Sequence, residues 1–491
     1  MALEALHTVT LEALANQDEA GAERKLGLWL AANGPNPAVL HWRALLLRGL
    51  DRHGEAIVLL RDALARVPGD AELVRNLAQV SLEAGLPSDD LFEQALQLDP
   101  ASVPTRRGLV SAYFAAGKGA QGLALLEAAL AANPGWHDGH AQYAQLATLT
   151  GQPQRAVDTL LAAIERFPDR LELRAQMLGL LLLAGDHARV ADLAEAAIAR
   201  LGDVPLLLVD RAAALDELGH GDAAAALFAR ASEPADVGHA TWLIRHHLRR
   251  GDAKAALAVA EPWLTRDGAT QIWPYVSLIW RMLGDDHAEW LERQDGLIAT
   301  AELGDQVDLA ALGRSLRRIH AGSGRFIDQS VRGGTQTDGP LFSRIEPEIV
   351  AFRKVMADAM AQHAAALPAH DAFHPQLALR RDRAVRFAGS WSVRLEDQGF
   401  HTSHHHPMGW FSAVFYVAVP DTLAGDEGQL VLGAPPAELG LDLAPFQKVA
   451  PRPGRLAIFP STMWHATFPF SAGERMTIAF DTARPTSGDI R

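Results

Sequence analysis

The chain contains no cysteine among its 491 residues. This absence excludes disulfide bonds and thiolate ligands, so any metal ion must be held by His, Asp or Glu. Long hydrophobic runs are absent as well, because the longest, around Leu178 to Leu183, is too short to cross a bilayer. The first residues carry acids where a secretory signal peptide has bases and an apolar stretch. We therefore expect a cytoplasmic protein without a membrane partner.

Basic residues are in the minority in the longer N-terminal part of the chain. Residues 1–300 carry 39 acids and 26 bases, a difference of −13, whereas residues 301–491 carry 20 acids and 19 bases, a difference of −1. Binding to phosphate backbones needs clustered Lys and Arg, so nucleic acid is not an expected partner. The acidic part is compatible with a basic protein or peptide partner, or with ordinary solvated helix surfaces.

Glycines recur through the N-terminal part with a nearly constant period. Their successive gaps are 33, 31, 32, 34, 34, 34, 32 and 33 residues, and the positions are Gly21, Gly54, Gly85, Gly117, Gly151, Gly185, Gly219, Gly251 and Gly284. A second series, offset by about half a repeat, is formed by Pro37, Pro68, Pro100, Pro134 and Pro168. Each unit is therefore predicted to be a helix, a glycine turn, a second helix and a proline-containing turn.

This pattern resembles the tetratricopeptide repeat family, through the Gly-x-x-x-x-Ala step and the Asn133-Pro134 and Phe167-Pro168 endings. The resemblance covers about residues 5 to 295, or eight to nine units, and implies an all-α superhelix over residues 1–300. Such superhelices commonly form a groove that holds a peptide or a partner protein. A spacer or an oligomerisation surface is the alternative role.

The remaining residues show a different pattern. We predict a linker at 301–330 and a separate domain at 331–491, with one helix from Pro347 to Ala366. The chain then changes to short alternating segments with Gly/Pro turns, which favours a jelly roll or barrel. The predicted strands are Ser390–Leu395, Trp410–Val419, Gln429–Leu432, Arg455–Phe459, His465–Phe468 and Arg475–Phe480.

Four histidines lie within six residues at His401-Thr-Ser-His404-His405-His406, just ahead of a predicted strand. In an extended segment alternate side chains share a face, so His404 and His406 can point together while His405 points away. A further histidine, His465, precedes the basic residue Arg475 by ten positions.

Arg475 and Thr477 share one face of an apolar strand. A barrel-facing Arg is best explained by a carboxylate ligand that its guanidinium can bind through two hydrogen bonds.

These residues resemble the 2-oxoglutarate/Fe(II) oxygenase superfamily, in particular prolyl 4-hydroxylase-like members and a bacterial subgroup with His-x-His-Pro, Phe-Pro-Ser and a terminal Arg strand. The likeness spans roughly residues 329 to 482. It implies a double-stranded β-helix (jelly-roll) domain in which His404, His406 and His465 hold iron. It also implies that Arg475, helped by Thr477, binds the distal carboxylate of 2-oxoglutarate.

One position departs from the superfamily pattern. The usual triad has a carboxylate two residues after its first His, where this chain has His406. Three histidines are chemically possible ligands for Fe(II). The alternatives are a carboxylate from Glu396 or Asp397, or two histidines with water. A bulky residue at this position favours hydroxylation over halogenation.

The expected function is therefore that of an Fe(II)- and 2-oxoglutarate-dependent dioxygenase. Its substrates would be dioxygen and a protein or peptide side chain recruited by the repeats. Three alternatives stay open: a small-molecule hydroxylase, a non-catalytic repeat scaffold with a degenerate jelly roll, and a cupin-like metal enzyme without 2-oxoglutarate.

Overall fold

The computed structural model describes residues 2–321, 331–337 and 339–485. Within this part, residues 3–292 form antiparallel helix pairs that stack in chain order, so that each helix contacts mainly its neighbours. The helices are α1 Leu3–Asn16, α2 Glu19–Asn33, α3 Pro37–Gly49, α4 His53–Arg66, α5 Ala71–Glu83, α6 Asp89–Leu98, α7 Val103–Ala115, α8 Gly119–Ala132, α9 His137–Leu149, α10 Pro153–Arg166, α11 Leu171–Leu183, α12 His187–Leu201, α13 Pro205–Glu217, α14 Gly221–Ala231, α15 Val237–Arg249, α16 Ala253–Ala260, α17 Ala269–Leu283 and α18 His287–Glu292.

Helix α10 illustrates how the repeat sequence forms these elements. Pro153 opens the helix at a position where its missing N–H costs no hydrogen bond. The buried side chains are Ala156, Val157, Leu160, Ala163 and Ile164, and this spacing gives one continuous apolar stripe. The stripe packs in a core cluster with α11 and α12, so burial between neighbours holds the superhelix together.

The tight turns between the helices of each repeat are formed by residues with positive φ angles, and not all of these residues are glycines. Gly85 through Gly284 of the predicted series have positive φ angles, between 66° and 83°. In the first two repeats the left-handed residue is Gln17 (φ 57°) and then Asp51 (φ 56°). The prediction that Gly21 and Gly54 supply these turns is wrong, because both lie inside helices α2 and α4.

The C-terminal part contains a curled antiparallel sheet with two long helices. Its elements are β1 Ala299–Glu302, α19 Leu309–His320, β2 Val331–Gln336, α20 Pro347–Ala366, β3 Phe387–His404, β4 Gly409–Ala418, β5 Leu430–Leu432, β6 Gln447–Val449, β7 Arg455–Pro460, β8 His465–Thr467 and β9 Arg475–Ala483. The strand order is β1-β7-β4-β9-β3-β8-β5-β6, and β2 pairs with β3. This is a jelly-roll-like domain, so the predicted fold class, an all-α repeat superhelix followed by a jelly roll, is confirmed.

Strand β3 links the two halves of the sheet. Its residues 387–395 pair with β9, whereas His401 and His404 pair with β8. The bend lies at Gln398, which has a φ of 62°, and at Gly399. A Cβ atom on Gly399 would lie 2.7 Å from the carbonyl oxygen of Gly333 on β2, so only glycine allows this close approach of two strands. The bend carries the histidine segment from one half of the sheet to the other.

The segment predicted as a linker, residues 301–330, differs from that expectation where it is described. Strand β1 pairs with β7 from Ala299↔Ile458 to Glu302↔Arg455. Helix α19 packs on the core of the β domain through Leu312 and Leu316. Contacts with the β domain therefore place residues 301–321 in that domain, and such contacts are not visible in the local sequence. Residues 322–330 of the predicted linker lie outside the described residues.

Both ends of the superhelix contact the jelly-roll-like domain. At the N-terminal end, Arg386 Nη1 lies 2.8 Å from a carboxylate oxygen of Glu19, and Gln17 Nε2 donates to the carbonyl of Arg484. At the other end, the Trp464 indole N–H donates to the Pro274 carbonyl in α17. The two domains therefore meet at two separate seams, and the middle repeats connect those seams.

Among the described residues, no helix is both long enough and apolar enough to cross a membrane.

Candidate metal centre and buried arginine

The β domain encloses a cavity of about 360 Å³ between its two halves. Strand β9 lines the cavity mainly through alternate residues, Arg475, Thr477, Ala479 and Asp481, as expected for one face of a strand, and Phe480 also contributes. Strands β3 and β8 and the connection after β3 contribute the histidines. The cavity is therefore the place where the sequence-predicted site residues meet.

Three histidines converge at one end of the cavity. His404 is the last residue of β3 and lies opposite His465 of β8 in the antiparallel register, and His406 follows in the connection to β4. One ring nitrogen from each of the three lies within 4.8 Å of the others. The rings of His404 and His465 are 4.2 Å apart, and the ring of His406 is 5.1 Å from His404 and 5.0 Å from His465. The arrangement has the spacing of a potential metal centre.

The hydrogen bonds of these imidazoles fix their tautomers. The His404 Nδ1–H donates to the Thr402 carbonyl at 2.8 Å, and the His465 Nδ1–H donates to the Met463 carbonyl at 3.0 Å. The His406 Nδ1–H donates to the Asp481 carboxylate at 2.9 Å. Carbonyl and carboxylate oxygens only accept hydrogen bonds, so each proton resides on Nδ1. Nε2 is then the nitrogen of each ring that is suited to bind a metal.

Burial keeps the imidazoles of His404 and His465 neutral. It lowers the pKa of His404 to about 4, with a further lowering from His406, and lowers the pKa of His465 well below its usual value. Neutral imidazole is the form that binds metal ions, so no proton has to be displaced from these rings near neutral pH.

The neighbouring histidines have other surroundings. The ring of His405 packs edge-to-face on Trp464 at 4.6 Å and on Tyr275 of α17 at 6.1 Å. His401 lines the cavity with its ring 6.0 Å from that of His404. Burial lowers the pKa of both, for His405 to about 3. Neither belongs to the group of three converging rings.

Arg475 is the largest fully buried side chain of the described residues, with 2% of its surface exposed. Its Nε donates to the Gly428 carbonyl at 3.2 Å, and its guanidinium lies 5.1 Å from the centre of the Tyr416 ring. No carboxylate of the described residues forms an ion pair with it, and burial lowers the pKa of the guanidinium. A buried cation without a counter-charge is costly, so this position is suited to an anionic ligand.

The predicted helper of Arg475 has a different neighbour. Thr477 is buried and lines the same cavity, but the side chain that packs on the guanidinium is Tyr416, which lies opposite Thr477 in the β4–β9 register. Alternation along β4 places Tyr416 on the same face as Ser412 and Val414, but its contact with Arg475 arises only from the pairing of β4 with β9.

The carboxylate near the three histidines comes from a position that the sequence did not indicate. Glu396 and Asp397, the considered alternatives, are exposed at the β3 bend, and Asp397 accepts a hydrogen bond from the Gly473 N–H. Asp481 instead lies behind His406 and also accepts from the Ser412 hydroxyl at 2.6 Å. The signal for it was the period of two along β9, six residues after Arg475.

Parts of the chain match known families. Residues 389–481 match a family model described as "Putative 2OG-Fe(II) oxygenase", and residues 90–141 match a tetratricopeptide repeat model. The first segment contains all the converging histidines together with Arg475 and Asp481. These two matches agree with the predicted resemblances, to tetratricopeptide repeats in the N-terminal part and to 2-oxoglutarate/Fe(II) oxygenases in the C-terminal part.

Several solved structures are similar to parts of this chain. A tetratricopeptide repeat protein from Parabacteroides merdae is 18% identical, with 48% of this chain and 93% of that chain covered and a TM-score of 0.32. A repeat protein from Thermus thermophilus is 20% identical, with coverage of 37% and 100% and a TM-score of 0.29. A prolyl-4-hydroxylase from Pseudomonas putida is 21% identical, with coverage of 39% and 94% and a TM-score of 0.28. No curated protein sequence matches the chain significantly.

Proposed function

We propose that this protein is an Fe(II)- and 2-oxoglutarate-dependent dioxygenase that hydroxylates a protein or peptide side chain. In this proposal His404, His406 and His465 hold the iron and Arg475 binds the distal carboxylate of 2-oxoglutarate. The observation that carries it is the presence, within one cavity, of three converging imidazoles and a buried arginine that has no counter-charge among the described residues.

The donor set fits the metal. Imidazole is a suitable ligand for Fe(II), and a site with three protein ligands leaves positions for the co-substrate and dioxygen. A site of three neutral ligands carries one more positive unit than a site with a carboxylate. The Asp481 carboxylate, which accepts a hydrogen bond from His406, lies behind that imidazole and offsets this extra positive charge.

The surroundings of Arg475 fit a dicarboxylate. Its guanidinium can bind a carboxylate through two parallel hydrogen bonds, which a lysine could not do. Thr477 lies one position further along the same face, where its hydroxyl can reach a ligand bound at Arg475. Phe459 and Leu430 line the cavity, and the Tyr416 ring packs on the guanidinium, so these apolar surroundings strengthen the charge interaction.

The bound iron and keto acid would supply oxidative decarboxylation of 2-oxoglutarate coupled to hydroxylation of a nearby C–H bond. The role of this chain's residues is to fix geometry. The backbone partners of His404 and His465 hold two rings, Asp481 holds the third, and Arg475 sets the orientation of the co-substrate relative to them. Trp391 packs edge-to-face on His406 at 5.4 Å and limits access from that side.

A protein or peptide substrate is supported by the repeats, which form the larger part of the chain and meet the oxygenase domain at two seams. Their excess of 13 acids suits a partner with basic residues. The last repeat reaches the site, since Tyr275 of α17 contacts His405 between two of the proposed ligands.

An anaerobic titration tests the metal and co-substrate assignment. Apo-protein would receive Fe(II) and then 2-oxoglutarate, while the visible charge-transfer band of a chelated keto acid is recorded. We expect the band in the wild type, its loss in His465→Ala and its weakening in Arg475→Ala. The exposed His370 supplies the matched control, and His370→Ala should keep the band. The absence of a band in folded wild-type protein would overturn the assignment.

A second experiment tests the substrate class. Proteins of a cell extract would be incubated with Fe(II), 2-oxoglutarate and either the wild type or His465→Ala, and their peptides compared by mass spectrometry. We expect peptides heavier by one oxygen atom in the wild-type sample alone. Succinate formation without such peptides would favour a small-molecule substrate instead.

A further inference from the structure

A second, smaller cavity of about 60 Å³ lies at the seam between the first repeat and the oxygenase domain. The segment Arg380-Arg-Asp-Arg-Ala-Val-Arg386 contributes four arginines to its lining, and Gln17 lines it from the repeat side. Its remaining walls are largely apolar and include Trp410 and Phe411. A small cavity with an apolar base and a guanidinium rim has the form of an anion site.

Two of the four arginines have local partners. Arg380 binds Asp382 through two hydrogen bonds of 2.9 and 2.6 Å, and Arg386 lies 2.8 Å from Glu19. Within each pair the positive and negative charges neutralise each other. Both pairs therefore hold the arginines of the cavity edge in place without a ligand.

The other two arginines are incompletely paired. Arg383 lies 3.6 Å from Asp18, and its Nε is buried without a hydrogen-bond partner among the described residues. Arg381 donates from Nη1 to the Leu367 carbonyl, but its Nη2 is buried and also lacks a described partner. No described acid pairs with Arg381, and burial lowers the pKa of its guanidinium.

The next residue along the chain from this cavity adds to the positive charge. Arg484 follows Ala483, which lines the cavity, and its Nη1 is buried without a described partner. Burial lowers its pKa to about 10. With Arg484, whose Nη2 donates to the Pro375 carbonyl, five arginines lie in or beside the cavity. The acids that pair with arginines of the cavity are three, Asp18, Glu19 and Asp382, which leaves a formal excess of two positive charges.

We propose that this cavity binds a small oxyanion of the size and charge of phosphate, between Arg381 and Arg383. Buried guanidinium N–H groups without acceptors are rare in folded proteins because each costs free energy, and an oxyanion supplies the missing acceptors and the counter-charge. The volume admits one tetrahedral anion or the anionic group of a larger molecule. The site is separate from the metal centre, and it does not depend on the proposed reaction.

The site has a direct structural connection to the metal centre. Phe411 and Thr482 line the small cavity, while their chain neighbours Ser412 and Asp481 line the large one, because successive residues of a strand point to opposite faces. Strands β4 and β9 therefore separate the two cavities.

The test uses the full chain and inorganic phosphate as the probe. Isothermal titration calorimetry at constant ionic strength, with chloride as the balancing anion, would measure phosphate binding to four proteins. These are the wild type, the double variant Arg381→Gln/Arg383→Gln, Arg475→Gln and Arg452→Gln. Arg475→Gln removes the buried arginine of the metal cavity, and Arg452→Gln removes an exposed arginine of the same domain.

We expect saturable binding in the wild type that weakens at least tenfold in the double variant and is unchanged in the other two. The single variant Arg381→Lys, which keeps the charge, should retain intermediate affinity and guards against loss of folding in the double variant. Absence of saturable binding in the wild type would overturn the proposal. Binding that is lost in Arg475→Gln but kept in the double variant would also overturn it, and would assign phosphate to the metal cavity.

Discussion

At the scale of single residues, Asp481 supplies a carboxylate beside His406, the position where the superfamily pattern has a carboxylate in the chain itself. The superfamily pattern has a carboxylate where this chain has an imidazole, and the structure places a carboxylate directly behind that imidazole. Asp481 is held by Ser412 as well, so both its position and that of the His406 ring are defined. A carboxylate in this position orients a ligand and increases its basicity.

We therefore predict that Asp481→Asn weakens metal binding. Asn cannot accept the Nδ1 proton with a full negative charge, so metal affinity should fall by about 10- to 100-fold. The measurement is an anaerobic Fe(II) or Co(II) titration of the apo-protein. Asp421→Asn, at an exposed position, is the control. Equal affinity of Asp481→Asn and the wild type would show that His406 needs no partner.

Much of the candidate site could be predicted from single residues. The spacing of His404, His406, His465 and Arg475 was visible because those residues stand in or beside short strands with clear alternation. Asp481 and Tyr416 were missed, and one physical reason accounts for both. Their contacts depend on the pairing of β4 with β9, which brings residues distant in sequence side by side and which no local pattern specifies.

Glu292 provides a pH-dependent prediction outside the site. It is buried at 3% exposure in α18 and is hydrogen-bonded to the Ser277 hydroxyl. Burial raises its pKa from 4.5 to about 7. The folded state therefore favours the protonated acid, and the stability that this group contributes is lost as the pH rises through 7.

The variant Glu292→Gln should remove this dependence. Its free energy of unfolding should exceed that of the wild type by on the order of 1–3 kcal/mol at about pH 8 and match it at about pH 4. Urea denaturation across this pH range checks the prediction. A constant difference between the two proteins at all pH values would contradict it.

At the scale of elements, helix α17 belongs to the repeats but packs on Trp464 and His405, which are neighbours of the converging histidines. Trp464, the neighbour of His465, donates its indole N–H to Pro274 and contacts the Tyr275 ring at 5.4 Å. Tyr275 also contacts His405. The last repeat therefore supports the segments that carry all three converging histidines.

Tyr275→Leu should consequently affect both stability and the metal site. Loss of the ring contacts should cost about 1–3 kcal/mol of unfolding free energy and lower metal affinity several-fold. Tyr143→Leu is the matched control, because Tyr143 is also a buried tyrosine of the repeats but lies in α9, away from the jelly-roll-like domain. Thermal unfolding and Co(II) titration would be compared for both variants. Equal metal affinity of the two would contradict the coupling of α17 to the site.

The bounds of helices and strands also show which elements local sequence patterns can predict. Helix α20 has the predicted bounds, Pro347 to Ala366, and β4, β5, β7, β8 and β9 lie within a few residues of their predictions. Strand β2, Val-Arg-Gly-Gly-Thr-Gln, was missed because it lacks apolar alternation and exists through its pairing with β3. Local pattern predicts strands with one buried face, whereas a strand that depends on pairing alone leaves little trace in the sequence.

At the scale of the whole molecule, the superhelix contacts the jelly-roll-like domain at two seams. The N-terminal seam contains Glu19, which is 1% exposed and pairs with Arg386. Arg386 also donates to the Gly49 carbonyl at 3.2 Å. The repeats between the two seams are then held at both ends, which favours a defined position of any bound partner relative to the cavity.

Arg386→Ala should loosen the N-terminal seam. It leaves the Glu19 carboxylate buried without its partner, at a cost of about 2–4 kcal/mol, since Arg386 itself is partly exposed. Hydrogen exchange should become faster in α2 to α4 and stay unchanged in α9 to α12. Arg200→Ala breaks an exposed pair with Asp169 and should cost at most about 1 kcal/mol. Unchanged exchange in α2 to α4 would show that the seam does not depend on this pair.

The central claim, that Arg475 selects a dicarboxylate co-substrate beside a three-histidine metal centre, is tested most directly by comparing two keto acids. Wild-type and Arg475→Gln proteins loaded with Fe(II) would be titrated anaerobically with 2-oxoglutarate and with 2-oxopentanoate, which lacks the distal carboxylate. A charge-assisted pair predicts that the wild type binds 2-oxoglutarate roughly 10- to 100-fold more tightly and that this preference disappears in Arg475→Gln. A wild type without preference, or a preference that persists in the variant, would contradict the account.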